Sequence, residues 1–192
     1  QLPLMVDMAH SQDVLPALAA RCNEKAVHLE SLSESRVALL RQALRDNTLR
    51  NMTITAQALK LTRRLNEAGI VPLLLKGTAR LLTVREVNAG FRKQADIDLL
   101  VRPSELEVAS AIFISEGYRF QLLIKDASGE PKALADTHSP LTLSAAHHHL
   151  PPLVKPGYAA SVELHRHHLP KRFQRGNPLP PLFDSARTCE SH

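Results

Sequence analysis

Aromatic residues and long hydrophobic runs are scarce in this sequence of 192 residues. Phe, Trp and Tyr make up 4% of the chain and Trp is absent, so the core must be built mainly from Leu, Ile, Val and Ala. The longest apolar run, at 70–75, is interrupted by Pro72 and is far too short to span a bilayer. The first residues do not follow the signal-peptide pattern of a basic stretch and then a continuous apolar stretch. We therefore expect a cytoplasmic protein without a membrane segment.

Cysteine is almost as rare. Cys22 and Cys189 lie near opposite ends and have neither a disulfide-framework spacing nor a zinc spacing. Free thiols in a reducing compartment are the simpler interpretation, and one disulfide is the alternative. The charge is also only mildly unbalanced, at +5, and no basic block is interleaved with aromatics. This excess favours an anionic ligand such as a nucleotide or RNA, but it does not indicate a nucleic-acid surface.

Hydrophobic periodicity divides the chain into three parts. Residues 1–66 predict an N-terminal helical segment, since apolar residues recur at helical spacing, as at Ile54, Ala58, Leu61 and Leu65. Residues 67–170 alternate strands with short helices and form the expected core domain. Residues 171–192 form a Pro-rich tail that we expect to be extended or poorly ordered. Gly69 has the position of a helix C-terminal glycine. The predicted class is α/β (α+β), with a small mixed sheet flanked by helices.

Two aspartates alternate with apolar residues in the predicted strand at 95–101. Asp96 and Asp98 would share one face of the sheet, while Ile97 and Leu99 would point into the core. Adjacent carboxylates repel each other unless solvent or a cation screens them. Hard oxygen ligands at this spacing suit Mg²⁺, which binds one or two carboxylates together with substrate phosphates. The alternative is an exposed edge strand with acidic outer residues.

Two further segments could complete such a site. Lys76, Gly77 and Thr78 follow the predicted strand at 70–75 and open a short helix, predicted at 79–84. A glycine there allows close approach of a phosphate, and a helix N-terminus offers free N–H groups. The spacing is not that of a Walker A loop. Further along, Glu163 and His165 share one face of a predicted strand at 160–165. Three carboxylates would converge if this strand lies beside 95–101.

The order of these segments resembles an uncharacterised bacterial nucleotidyltransferase family. The resemblance rests on residues 65–70, the L-L-K-G segment at 74–77, Arg92, the D-I-D-L-L-V segment at 96–101, and residues 148–154, 157 and 162–165. It covers roughly 66–168. The family is similar to the DNA polymerase beta-like group, which implies the nucleotidyltransferase fold and transfer of a nucleoside monophosphate from an NTP, with release of pyrophosphate.

The resemblance also implies roles for individual residues. Asp96, Asp98 and Glu163 would be catalytic and would hold Mg²⁺ or Mn²⁺, and Glu163 could polarise the attacking group. Lys76 and Gly77 would contact the triphosphate, and Thr78 would assist in binding it. Arg92 would either contact a phosphate or hold the aspartates in place. His165 would lie at the edge of the metal site. ATP is the default donor by family analogy, and the acceptor is a small molecule, a protein or RNA.

The sequence departs from the family pattern in two places. The loop at 84–90 lacks the proline-rich, aromatic composition that is common in the family. The rim of the site is therefore expected to differ from that of other family members. Family members also continue into a helical region after the E-L-H strand, where this sequence has about 27 residues. We therefore expect part of the acceptor or base pocket to be missing or supplied by a partner chain.

Two other functions remain open at this stage. The first is a non-catalytic nucleotide- or metal-binding pseudoenzyme that acts through a partner protein, which the second departure favours. The second is a zinc-binding interaction protein, because His165, His167 and His168 are close together and imidazole suits Zn²⁺. No cysteine or second spaced pair completes a standard zinc pattern, so adventitious metal binding is the simpler account of these histidines.

Overall fold

The structure is a computed structural model that describes residues 1–25, 27, 29–83, 89–121, 123–125, 131–133, 148–169 and 179–186. Residues 123–125, 131–133 and 179–181 are described as backbone. Within these ranges, no helix has both the length and the apolar character that crossing a membrane requires.

Three helices form the predicted N-terminal helical segment: α1 (Leu2–Ser11), α2 (Leu15–Glu24) and α3 (Glu34–Glu67). Pro16 stands in the first turn of α2, where its fixed φ fits a helix and its missing N–H costs nothing. Pro16 is therefore compatible with the start of α2. Ser33 caps α3 by accepting a hydrogen bond from the Arg36 N–H at 3.4 Å. Gly69, with φ of +76°, follows its end as predicted.

Helix α3 belongs to two hydrophobic clusters. Its N-terminal half packs Leu40 against α1 and α2, where Val6 and Ala20 are fully buried. Its C-terminal half packs against the sheet through four side chains that are at most 1% exposed: Ile54, Ala58, Leu61 and Leu65. The last turns of α3 are therefore part of the core around the sheet.

The described residues contain seven strands in two sheets. In chain order they are β1 (Leu73–Leu74), β2 (Asp96–Leu100), β3 (Arg119–Phe120), β4 (Leu123–Lys125), β5 (Pro131–Ala133), β6 (Leu153–Val154) and β7 (Ser161–His165). The larger sheet has the order β1-β2-β7-β6-β3. Strands β2 and β7 are parallel, and the other neighbours are antiparallel. Strands β4 and β5 form a separate antiparallel pair. This mixed sheet with flanking helices confirms the predicted fold class.

The other helices in the described part of the chain are α4 (Lys76–Thr83), a 3₁₀ turn (Pro103–Glu105), α5 (Leu106–Ser115) and α6 (Leu179–Asp184). Helix α6 lies within the tail that was predicted to be extended. Beside it, the guanidinium of Arg102 lies 4.6 Å from the centroid of the Phe183 ring. The rest of that tail lies largely outside the described residues.

Several predicted boundaries differ from the structure. The strand predicted at 70–75 is reduced to two residues, since Pro72 has no N–H for the ladder. Helix α4 starts at Lys76, three residues earlier than predicted, because Lys76 adopts a left-handed φ of +48° that turns the chain directly out of the strand. Strands β3 and β4 follow each other in the chain but belong to different sheets.

Candidate active site

The parallel pairing of β2 with β7 brings two acidic segments together at the centre of the larger sheet. Asp98 is the register partner of Glu163, and Asp96 is the partner of Ser161. The intervening Ile97 and Leu99 are fully buried in the hydrophobic core, as strand alternation requires. The structure therefore places the two strands side by side, as the three-carboxylate arrangement needs.

Two nitrogen-bearing side chains meet Asp98. Lys76 Nζ donates to Asp98 Oδ1 at 2.7 Å and lies 3.8 Å from Glu163 Oε2. His165 Nε2 lies 2.9 Å from the same Asp98 oxygen and 3.4 Å from Glu163 Oε2. Asp98 and His165 are fully buried, whereas the Lys76 side chain is 53% exposed. Lys76 therefore reaches the buried carboxylate from the solvent side.

The backbone around Asp98 is fixed by α4 and β1. The Asp98 N–H donates to Thr78 Oγ1 at 2.9 Å, and its carbonyl accepts from the Leu75 N–H at 3.1 Å. Thr78 is 1% exposed, so its hydroxyl bonds to the strand backbone and does not face solvent. The start of α4 is thus held directly against β2.

The electrostatic environment shifts the pKa values of the two aspartates in opposite directions. Burial alone would raise the pKa of Asp98, but the hydrogen bonds from His165 and Lys76 outweigh burial and lower this pKa. The pKa of Asp96 is raised, first by burial and then by the charges of Asp98 and Glu163. An Asp96 carboxylate with a raised pKa gains from any cation that offsets these two neighbouring charges.

The groups around Asp98 also have shifted pKa values: the pKa of Glu163 is lowered, and those of His165 and Lys76 are raised. The His165 hydrogen bond lowers the pKa of Glu163 more than burial raises it. Burial would lower the pKa values of His165 and Lys76, but in both groups the interactions with Asp98 and Glu163 prevail and raise the pKa. The site therefore pairs ionised carboxylates with protonated partners.

A divalent cation fits the chemistry of these side chains. Asp98, Glu163 and His165 each offer a ligand atom, and these atoms lie within 4.8 Å of one another. Asp98 Oδ2 is buried and has no hydrogen-bond partner among the described residues, so one carboxylate oxygen is left to coordinate an ion. Carboxylate oxygens suit Mg²⁺ or Mn²⁺. Asp96, which was also predicted as a ligand, is not a member of this group. Among the described residues, His167 and His168 belong to no such group.

Gln94 is a residue of this site that the sequence analysis missed. Its side chain is 4% exposed, and its Nε2 donates to the Asp96 carbonyl at 2.6 Å and to Asp96 Oδ1 at 3.1 Å. A Cβ at Gly77 would lie 1.9 Å from Gln94 Oε1, so glycine is needed for Gln94 to reach Asp96. Gln94 lies two residues before Asp96, and the strand period of two could have indicated it.

Arg92 occupies a different position from the carboxylates. Its side chain is exposed and makes no hydrogen bond or ion pair with any of the three predicted carboxylate ligands. It contributes instead to the lining of a cavity of ≈ 450 Å³ between α3 and α4, which Gly77 also lines. The Arg92 carbonyl accepts a hydrogen bond from Asn51 of α3 at 2.7 Å.

Two more histidines surround His165. The rings of His148 and His149 have centroids 5.5 Å and 5.2 Å from that of His165. Burial, and then the charges of His149 and His165, lower the pKa of His148. The histidine-rich composition of 147–168 was visible in the sequence, but the pairing of His149 with His165 as a β-bridge was not.

The fold and this acidic site are consistent with a nucleotidyltransferase-like α/β protein. A family model described as an uncharacterised nucleotidyltransferase matches residues 2–192. The chain belongs to that family. No curated protein and no solved structure matches the chain.

Proposed function

We propose that this protein is a divalent-metal-dependent nucleotidyltransferase that moves a nucleoside monophosphate from an NTP to an acceptor and releases pyrophosphate. The observation that carries the proposal is the alignment of Asp98 with Glu163 across β2 and β7, directly beside the Lys76–Gly77 turn. Together these features offer carboxylates for a cation and a cationic turn for phosphates. Family membership supports the same reaction class.

Asp96, Asp98 and Glu163 would hold the cation, which we take to be Mg²⁺ or Mn²⁺. When bound, it would align the phosphates and neutralise charge in the transition state. Lys76 would contribute an ammonium group to the triphosphate, and the backbone N–H groups of the Lys76–Gly77 turn would bind phosphate oxygens. His165 would orient Asp98 and Glu163 through its Nε2.

The donor and the acceptor are further parts of the proposal. We take ATP as the donor on family analogy alone. The acceptor is a small molecule, a protein or RNA, and a partner chain could supply part of its pocket. A cytoplasmic location also stays a prediction.

The test is pyrophosphate release from each NTP with Mg²⁺ or Mn²⁺, with and without host-cell lysate as a source of acceptor. We expect turnover by the wild type and a loss of about 100-fold or more in Asp98→Asn, because that variant removes one charge from the cation site. Asp46→Asn is the matched control, since Asp46 is an exposed carboxylate of α3 that pairs with Gln42.

The two variants also separate catalysis from simple binding. Asp98→Asn that turns over as fast as Asp46→Asn would contradict the proposed site. A folded wild type that binds an NTP with Mg²⁺ but never releases pyrophosphate would instead identify the non-catalytic binding protein. Circular dichroism of both variants shows whether the fold is kept.

A further inference from the structure

The described lining of the cavity between α3 and α4 does not include the three predicted carboxylate ligands. The cavity does, however, begin at the Lys76–Gly77 turn beside them. Gly77 lines it, and Gly77 directly follows Lys76, whose Nζ contacts Asp98. Gln94 lines the cavity as well and donates to Asp96. The cavity and the acidic face therefore share a wall made by Gly77 and Gln94.

The walls of this cavity combine apolar surface with positive charge. Met52, Ala56 and Leu59 contribute the α3 wall, and Leu81 contributes to the α4 wall. The described lining residues include the exposed Arg92, and Arg80, which has an interaction partner of its own, and no carboxylate. Its volume of ≈ 450 Å³ is within the range of about 300–1,000 Å³ that is typical of small-ligand sites. A flat apolar group attached to an anion matches such a surface, because arginine stacks on aromatic rings and pairs with phosphate.

One polar group of the lining is also unsatisfied. The Asn51 side chain is fixed by hydrogen bonds from Nδ2 to the carbonyls of Ala89 and Arg92, at 2.6 Å and 2.7 Å. Its Oδ1 is buried and accepts no hydrogen bond from the described residues. The two Nδ2 hydrogen bonds therefore hold the chain at 89–92 against α3, where Ala89 and Arg92 line the cavity.

We propose that this cavity receives the nucleobase of the donor nucleotide. This inference rests on the proposed function, since it assumes that the triphosphate lies at the Lys76–Gly77 turn. Nucleobases are flat and are joined to the anionic phosphates that the turn and the exposed Arg92 would attract. A helix of a partner protein would fit the apolar α3 wall of the cavity. It would not account for the wall of Gly77 and Gln94 that the cavity shares with the acidic face, or for the lack of carboxylates among the described lining residues.

The experiment compares each NTP with inorganic tripolyphosphate, which lacks the base and ribose. Calorimetric titration with Mg²⁺ gives both affinities for the wild type. We expect at least one NTP to bind about 10-fold or more tightly than tripolyphosphate. In Ala56→Trp, whose indole would fill the cavity from the exposed side of α3, this preference should disappear while the affinity for tripolyphosphate stays unchanged.

Ala38→Trp is the matched control. Ala38 is another exposed alanine of α3, 18 residues earlier, or about 27 Å along the helix. It should retain the wild-type preference. Thermal unfolding of both variants reports whether the fold is intact.

The outcomes separate the two proposals. Equal affinity of every NTP and tripolyphosphate for the wild type, or an NTP preference that survives in Ala56→Trp, would overturn the nucleobase site while leaving triphosphate binding at the turn in place. Failure of the wild type to bind either ligand, with Mg²⁺ or with Mn²⁺, would overturn the proposed function and this inference together.

Discussion

At the scale of single residues, His165 is a buried imidazole between two carboxylates. Its Nε2 lies 2.9 Å from Asp98 Oδ1 and 3.4 Å from Glu163 Oε2. Although burial opposes its protonation, these partners raise its pKa above the ordinary value. In the metal-free protein, a proton on His165 therefore stabilises the folded state.

This coupling predicts a pH-dependent effect of His165→Gln on stability. The contribution of His165 should be complete below about pH 6.5, the pKa in the unfolded chain. It should be lost as the pH rises through the higher pKa in the folded state. The difference in unfolding free energy between the wild type and His165→Gln, measured in urea with EDTA, should therefore be larger at pH 6 than at pH 9.

The control for this measurement is His10→Gln, because His10 is an exposed residue of α1. Its effect on unfolding free energy should be small, because the side chain is exposed. A His165→Gln penalty that stays constant from pH 6 to pH 9 would show that His165 contributes through packing alone. Each unit of difference in pKa corresponds to about 1.4 kcal/mol.

At the scale of elements, α3 holds the segments that lead into β2 and β7. Arg50 donates to the carbonyls of Gln94 and Ala159 at 3.1 Å and 2.8 Å. Gln57 donates to the Ala160 carbonyl at 2.9 Å and accepts from the Ala160 N–H at 3.3 Å. These contacts fix the chain immediately before each acidic strand, so α3 acts as a scaffold for the site.

The scaffold predicts a high cost for Gln57→Leu. Gln57 is 3% exposed, and leucine would leave the Ala160 backbone groups without their partners. We expect a loss of about 2–3 kcal/mol in unfolding free energy. Gln42→Leu is the matched control on the same helix, since Gln42 is exposed and its side chain pairs with the exposed Asp46. It should change stability by no more than about 0.5 kcal/mol. Equal penalties in denaturant unfolding would contradict this role.

The strands show what local sequence can and cannot predict. The alternation around Asp96 and Glu163 predicted which side chains face the core, and Ile97, Leu99, Val162 and Leu164 are indeed fully buried. The pairing of Asp98 with Glu163 was left open, because the partner of a strand is set by residues far away in the chain. The Lys76–Asp98 contact, between residues 22 positions apart, depends on the left-handed turn at Lys76, which lysine rarely adopts.

At the scale of the whole molecule, the two hydrophobic clusters meet in α3. The domain boundary predicted at residue 66 lies one residue before the end of this helix at Glu67. The four buried residues from Ile54 to Leu65 nevertheless pack into the hydrophobic cluster around the sheet. A helical period predicts that these residues form one face, and it does not specify which neighbour covers that face. The domain division at 66 therefore stays a prediction.

This arrangement predicts different behaviour for two truncated chains. A chain of residues 67–192 lacks four core side chains, and each buried aliphatic side chain contributes about 2–5 kcal/mol against a total stability of about 5–15 kcal/mol. It should not fold. A chain of residues 33–192 keeps α3 and should unfold cooperatively, although at a lower temperature than the intact chain. Circular dichroism melts would show this, and a folded 67–192 chain would make α3 dispensable.

The contact between Lys76 and Asp98 has a thermodynamic consequence for cofactor loading. The ammonium group already serves as the counterion of the buried carboxylate, so cation binding is an exchange of one positive group for another. Triphosphate would draw Lys76 away and thereby strengthen cation binding, and the cation must strengthen triphosphate binding by the same factor. Under the proposed function, the cation and the triphosphate are therefore expected to load cooperatively.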